Sequence, residues 1–257
     1  MPAVTLDLWH TLIYLPPDAE EAYMAHQIAL GCEVLRKAPL LPGAAKLSDE
    51  ELARAFERSY AAAVAASSQG RSVTPAQQLL EAAKETGRDA DPKKYLVLLQ
   101  EEIQRTRFRI APGALELTDT LRERGYRVGV ISNTVGEPGA FLRPTLTSMG
   151  FDRSVETYVF SDEQPWTKPS PEIFFYALRQ LNEPPDLAVH VGDAWADLEG
   201  ARRAGYRGAI LFTGLRSYGA RYRTLFFPDL PEAPPTGYQT DRLGEVGSIV
   251  EKLLPRA

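Results

Sequence analysis

The sequence predicts an α/β protein, a doubly wound, mostly parallel sheet interrupted near its start by an all-helical insertion. After residue 108, short β-branched runs alternate with amphipathic charged stretches, the pattern of strands joined by crossover helices. The first 14 residues share that pattern. Residues 15 to 108 contain no convincing strand and are dominated by Ala, Leu, Glu and Gln, which favour helix. The expected division is a core of residues 1–14 and 109–257 and a helical cap of residues 15–108.

The strands come in order as "AVTLDL" at 3 to 8, "YRVGVIS" at 126 to 132, "YVFS" at 158 to 161, "LAVHVG" at 187 to 192 and "GAILF" at 208 to 212. Each is short and apolar, as strands buried on both faces must be. Between them, the stretches at 113 to 125, 170 to 182 and 197 to 205 carry apolar residues at helical spacing and end in Gly or Asn. In the insertion, Ser48, Thr74 and Asp91 are polar caps before amphipathic runs, and Pro75 and Pro92 suit a first helical turn. Four helices are expected there. The proline-rich stretch at 226 to 239 reads as an ordered surface loop.

Composition narrows the function. The chain has 257 residues, 44% hydrophobic and 25% charged, with a formal net charge of −5. That balance argues against a nucleic-acid partner or an anionic membrane surface, and it sets aside the basic, aromatic stretch at 216 to 227 as a nucleic-acid site. No apolar run reaches the roughly 20 residues of a membrane span, and no secretory leader pattern is visible, so the expected location is the cytoplasm. The single cysteine, Cys32, reads as a small buried apolar residue. The expected partner is a small molecule, and the chain is expected to be a monomer or a homodimer.

Four places put polar groups directly after a predicted strand, on the edge where α/β sheets bind ligands. They are Asp7 and Thr11; Ser132 and Asn133 in "VISNT"; Lys168 in "PWTKPSPEIF"; and Asp193 with Asp197 in "HVGDAWAD". Taken singly, each has a plain structural explanation as a cap, turn or solvated loop residue. Their order changes the reading.

That order resembles the haloacid dehalogenase superfamily of hydrolases across nearly the whole chain. It is most specific in "SDEQPWTKPSPEIF" and "HVGDAWADLEGARRAGYRGAIL" and faintest in the insertion, which resembles that superfamily's helical cap. The resemblance implies a Rossmann-like core and an aspartate nucleophile, Asp7, which forms a covalent intermediate. It implies that Ser132 and Thr11 hold the transferring group, and that Lys168 supplies positive charge and keeps Asp7 ionised. In the phosphatase branches it implies one Mg²⁺, held by Asp7, the Trp9 carbonyl and Asp193, with Asp197 as a further ligand or a support through water. A phosphorylated small molecule is then the expected substrate, contacted by Trp9, His10 and Asn133.

Trp9 departs from the phosphatase pattern, which has a second aspartate two residues after the nucleophile. Its side chain offers only an indole N–H, so the general acid is missing, a loss of roughly 10²–10⁴ in rate. Three readings compete. One is a phosphate-ester hydrolase with another acid or with easily expelled leaving groups. His10 has a suitable pKa but, in an extended chain, would point away from Trp9, so packing or a loop hydrogen bond suits it better. The second is a 2-haloacid dehalogenase, since halide leaves without a proton and those relatives carry an aromatic residue here. They use no metal, however, and Asp193 and Asp197 would repel a carboxylate substrate. They also need a cap cation, for which Arg36 and Lys37 are the candidates, although both read as solvated helix residues. The third is a binding or regulatory module without turnover. His190 reads as a satisfied core residue, and His26 could face either site or solvent.

Overall fold

The computed structural model describes residues 1–215 and 238–255. Its main sheet has the order β5-β4-β1-β6-β7-β8, and every pairing in it is parallel. The strands are β1 (Ala3–Leu6), β4 (Arg127–Ser132), β5 (Thr157–Phe160), β6 (Ala188–Gly192), β7 (Gly208–Phe212) and β8 (Gln239–Thr240). The five expected strands are present. β8, an edge strand of two residues, was not expected, because so short a stretch has no periodicity to read.

Helices α5 (Ala114–Glu123), α6 (Gly139–Ser148), α7 (Pro171–Leu181), α8 (Trp195–Arg203) and α9 (Leu243–Leu253) accompany these strands. α5, α7 and α8 match the expected crossovers, whereas α6 and α9 were not foreseen. Pro144 interrupts α6, and two glycines weaken the helical signal of α9. Val4, Leu6, Val128, Val130, Val189 and Val191 form the buried centre of the sheet.

Between β2 (Ile13–Tyr14) and β3 (Arg109–Ile110) run four helices: α1 (Pro17–Lys37), α2 (Asp49–Ser68), α3 (Pro75–Glu85) and α4 (Pro92–Arg105). Their caps are as the sequence indicates. Ser48 with Glu51 and Thr74 with Gln77 form reciprocal capping boxes, and Asp91 accepts from the Lys93 N–H. Leu35, Phe56, Leu79 and Leu99 give these helices a core of their own, in which Cys32 is buried. β2 and β3 pair antiparallel, so the two chain crossings lie side by side.

Register sets up the site. Leu6 of β1 lies opposite Val130 of β4 and Val191 of β6, which brings the carboxyl ends of three strands together. Among the described residues no helix is long and apolar enough to cross a membrane. The stretch at 216 to 227, and all but the last two residues of the proline-rich stretch at 226 to 239, lie outside the described residues.

Candidate active site

Asp7 follows β1, with its N–H bonded to the Val191 carbonyl at 2.8 Å. Asp193 follows β6, and Asp197 lies in the first turn of α8. One carboxylate oxygen from each of the three lies within 4.8 Å of the others, and all three side chains are buried. Lys168, from the loop before α7, reaches into this group. Its Nζ donates to Asp7 Oδ1, to Asp197 Oδ1 at 2.6 Å and to the Ile131 carbonyl at 2.9 Å.

The neighbours explain how these residues are held. Asn133 accepts the Lys168 N–H at 2.8 Å and donates to the Lys168 carbonyl at 3.0 Å, so its amide fixes the lysine loop while also lining the cavity. Asp197 is held by three donors: Lys168 and, at 3.2 Å, His190 Nε2 on one oxygen, and the Ala194 N–H at 3.0 Å on the other. His190 is buried as a core residue, and Thr5 Oγ1 stands 2.8 Å from its Nδ1. Since ionised Asp197 can only accept, His190 carries its proton on Nε2 and Thr5 donates to Nδ1. A sequence reading had no signal for this link, because His190 falls inside an apolar strand. Gly192 is needed beneath it, for a Cβ there would overlap the Asp197 carboxyl group.

Electrostatics follow from burial. Burial pushes the Asp7 carboxyl up, Asp197 and Asp193 add to the rise, and Lys168 opposes it. Burial works against charge on Asp197 and on Lys168 as well. For Asp197, Lys168 and His190 outweigh it and hold the carboxyl below the usual carboxylate range. For Lys168, Asp197 and Asp7 outweigh it and hold the ammonium above its usual value. Burial lowers His190, and Asp197 opposes it.

Ser132 at the end of β4 is fully buried, and its Oγ has no hydrogen-bond partner among the described residues. Thr11 Oγ1 lies 3.5 Å from Asp7 Oδ2. Asp7, Lys168, Asp193 and Asp197 share a cavity of about 170 Å³ with Trp9, His10, Tyr23 and Glu137. The expectation that His10 points away from Trp9 assumed extended chain. His10 instead takes a left-handed conformation, φ 55°, so both residues line the cavity. The His10 ring also makes the expected loop contact, with Nε2 2.9 Å from Glu20 Oε1.

Other candidates are placed elsewhere. His26 is half-exposed and pairs with Glu102 at 2.9 Å. Arg36 and Lys37 are solvated helix residues paired with Asp49 and Glu33, and neither lines the cavity. Glu137, Tyr23 and Gln27 were not foreseen. Gln27 lies 110 residues from the Glu137 it contacts, and only the fold brings them together.

Three buried carboxylates around a lysine give a buried cation and a set of hard oxygen ligands that could hold a metal ion. Phosphoglycolate phosphatase of Nitrosococcus oceani is 31% identical over 108 residues, 42% of this chain and 47% of that protein. Phosphoglycolate phosphatase of Colwellia psychrerythraea is 33% identical over 85 residues, 33% of this chain and 36% of that protein. The matched region thus spans less than half the length of these relatives. Among solved structures, a HAD phosphatase from Thermococcus onnurineus aligns with a TM-score of 0.63 at 20% identity, covering 97% of this chain and 98% of that one. A 2-haloacid dehalogenase from Pseudomonas syringae pv. Tomato aligns with a TM-score of 0.61 at 20% identity, covering 98% and 99%. These likenesses show the fold. A family model for haloacid dehalogenase-like hydrolases matches residues 1–205. By that match, the chain belongs to the haloacid dehalogenase-like hydrolase family.

Proposed function

We propose that the chain is a Mg²⁺-dependent hydrolase of small phosphate monoesters, with Asp7 as nucleophile. The observation that carries this reading is the convergence of Asp7, Asp193 and Asp197 within 4.8 Å of one another, beside the buried Lys168. Hard carboxylate oxygens in that number suit Mg²⁺. Asp7 and Asp193 would hold the ion with the Trp9 carbonyl, while Asp197, already held by three donors, would support them. A bound ion would neutralise negative charge between an anionic carboxylate and an anionic ester.

In the first step an Asp7 oxygen forms a bond to phosphorus as the bond to the alcohol oxygen breaks. The alcohol leaves with a proton taken from solvent, because Trp9 supplies none. In the second step water attacks the phosphorus of the aspartyl phosphate, releasing inorganic phosphate and restoring Asp7. Ser132 Oγ, with its hydrogen-bonding capacity unspent, donates to a phosphoryl oxygen, and Lys168 offsets the charge that develops. Thr11 steadies the Asp7 loop, and Asn133 holds the lysine loop in reach. Helices α1–α4, residues 15–108, act as a cap over the core of 1–14 and 109–257. They shelter the aspartyl phosphate and choose the leaving group. The setting we assign is the cytoplasm, as a monomer or homodimer.

Trp9 favours a second reading, 2-haloacid hydrolysis, in which the departing halide needs no proton. Against it stand the acidic group around Asp7 and the absence of Arg36 and Lys37 from the cavity. One assay separates the two: an aryl phosphate with and without Mg²⁺, and 2-chloropropionate, with phosphate and chloride measured. Metal-dependent phosphate release is expected. Metal-independent chloride release would reverse the assignment, and neither product, with ligand binding preserved in Asp7→Asn, would favour a module that binds without turnover.

A further inference from the structure

The cavity that holds Asp7, Lys168, Asp193 and Asp197 is also lined by Trp9, Tyr23, Met24, Val135 and a further acid, Glu137. Glu137 belongs to none of the motifs that carry the proposed hydrolysis. It is buried in the loop after β4, accepts from Gln27 Nε2 at 3.1 Å, and pairs with no lysine or arginine among the described residues. Its acidic neighbour Glu20 is already engaged with His10. Tyr23 and Gln27 are buried against each other beside it. The arrangement is built closely: a Cβ at Gly136 would stand 2.5 Å from Gln27 Oε1.

A buried carboxyl without a countercharge is costly when ionised. Burial accordingly pushes Glu137 up to about 7, against hydrogen bonds from Gln27 and from the backbone N–H groups of Gly136 and Glu137. A protonated amine would meet that lack. It gives Glu137 an opposite charge and an N–H donor, in a cavity that Trp9 and Tyr23 also line. A carboxylate in the same place would set like charges against each other at low effective dielectric, with Glu20 adding to the repulsion.

We propose that Glu137 and Tyr23 line the leaving-group subsite, with Gln27 holding the Glu137 carboxyl in place, and that this subsite selects phosphate monoesters of small amino alcohols over carboxylate-bearing esters. The inference rests on the phosphate-ester reading above. It departs from the relatives, because phosphoglycolate, the compound in their names, carries a carboxylate.

The test compares O-phosphorylethanolamine with phosphoglycolate at pH 8 in the presence of Mg²⁺, using the full chain and Glu137→Gln. The wild-type chain should favour the amine ester at least tenfold in kcat/KM, and Glu137→Gln should lose at least tenfold on that ester while keeping or gaining activity on phosphoglycolate. Equal or reversed preference in the wild type overturns the subsite, as does an unmoved ratio in a variant that melts no lower than the wild type. Calorimetric binding of both esters to Asp7→Asn reads selection without turnover. Tighter binding of the amine ester with no hydrolysis by the wild type would strike the hydrolysis reading alone, whereas equal binding would strike the subsite.

Discussion

Lys168 and Asp197 form a buried ion pair, Nζ to Oδ1 2.6 Å, and the same ammonium reaches Asp7. One cation therefore balances two carboxylates that the sheet brings together from opposite ends of the sequence. Removing it leaves both buried and uncompensated. Lys168→Met should lower stability by about 3–5 kcal/mol in urea unfolding and abolish turnover. Adding Asp197→Asn should recover part of that stability and none of the activity. A single variant as stable as the parent would mean that the pair contributes nothing to the fold.

Trp9 packs edge-to-face on Phe108 with ring centroids 5.4 Å apart, and on the phosphate-ester reading proposed above it occupies the place of the proton donor. Trp9→Asp should raise turnover of an alkyl phosphate, by up to roughly 10²–10⁴ if the new carboxyl reaches the leaving oxygen. The gain on an aryl phosphate, whose leaving group needs less protonation, should be smaller. Steady-state rates on the two esters check this, and unchanged or lower rates on both would show that proton transfer was not limiting.

Glu137 links pH to stability. Its folded value of about 7 lies above the ordinary glutamate value near 4.5, because burial disfavours the charge. The folded chain therefore holds this proton more tightly than the unfolded chain. The contribution is complete below about pH 4.5 and is lost as the pH rises through 7, a difference of about 3 kcal/mol. Tyr23, Gln27 and Glu20 face the group, and none of them supplies positive charge. Glu137→Gln should thus gain on the wild type between pH 5 and pH 8 in paired chemical denaturation curves. A stability difference that stays flat across that range would contradict this assignment.

Gly192 lies directly under the Asp197 carboxyl group. Gly192→Ala should push Asp197 away from Lys168 and His190, costing about 1–3 kcal/mol as overpacking and at least tenfold in turnover. Thermal melting and a phosphate-release assay read the two effects. An unchanged variant would show that the carboxylate has room to move.

The strands, and the meeting of Asp7, Lys168, Asp193 and Asp197 at their ends, were legible because they follow local rules. β-branched runs such as Arg127–Ser132 announce a buried strand, and Asp7, Ser132 and Asp193 fall at strand ends, where the sheet register gathers them. The rest depends on distance in sequence. His190 meets Asp197 only when β6 and α8 have packed, and Gln27 meets Glu137 only when α1 folds over the loop after β4. α6 stayed hidden behind Pro144, and β8 was too short to show alternation. The turn at His10 reversed a local argument, because an extended chain was assumed where a left-handed residue bends it.

The antiparallel pairing of Ile13–Tyr14 with Arg109–Ile110 has a mechanical consequence. The Ala111 N–H, bonded to the Leu12 carbonyl at 2.8 Å, lengthens the same contact. The helical insertion is joined to the sheet by a two-ply strap in place of two loose threads. A second tie lies between the α2–α3 connection and the lysine loop, where the Thr167 N–H bonds the Gly70 carbonyl at 3.1 Å and the Ser72 N–H bonds the Pro165 carbonyl at 3.3 Å, so the insertion is fastened to the core at two places. Tyr23 and Gln27, on the first helix of the insertion, are thereby kept over the loop after β4.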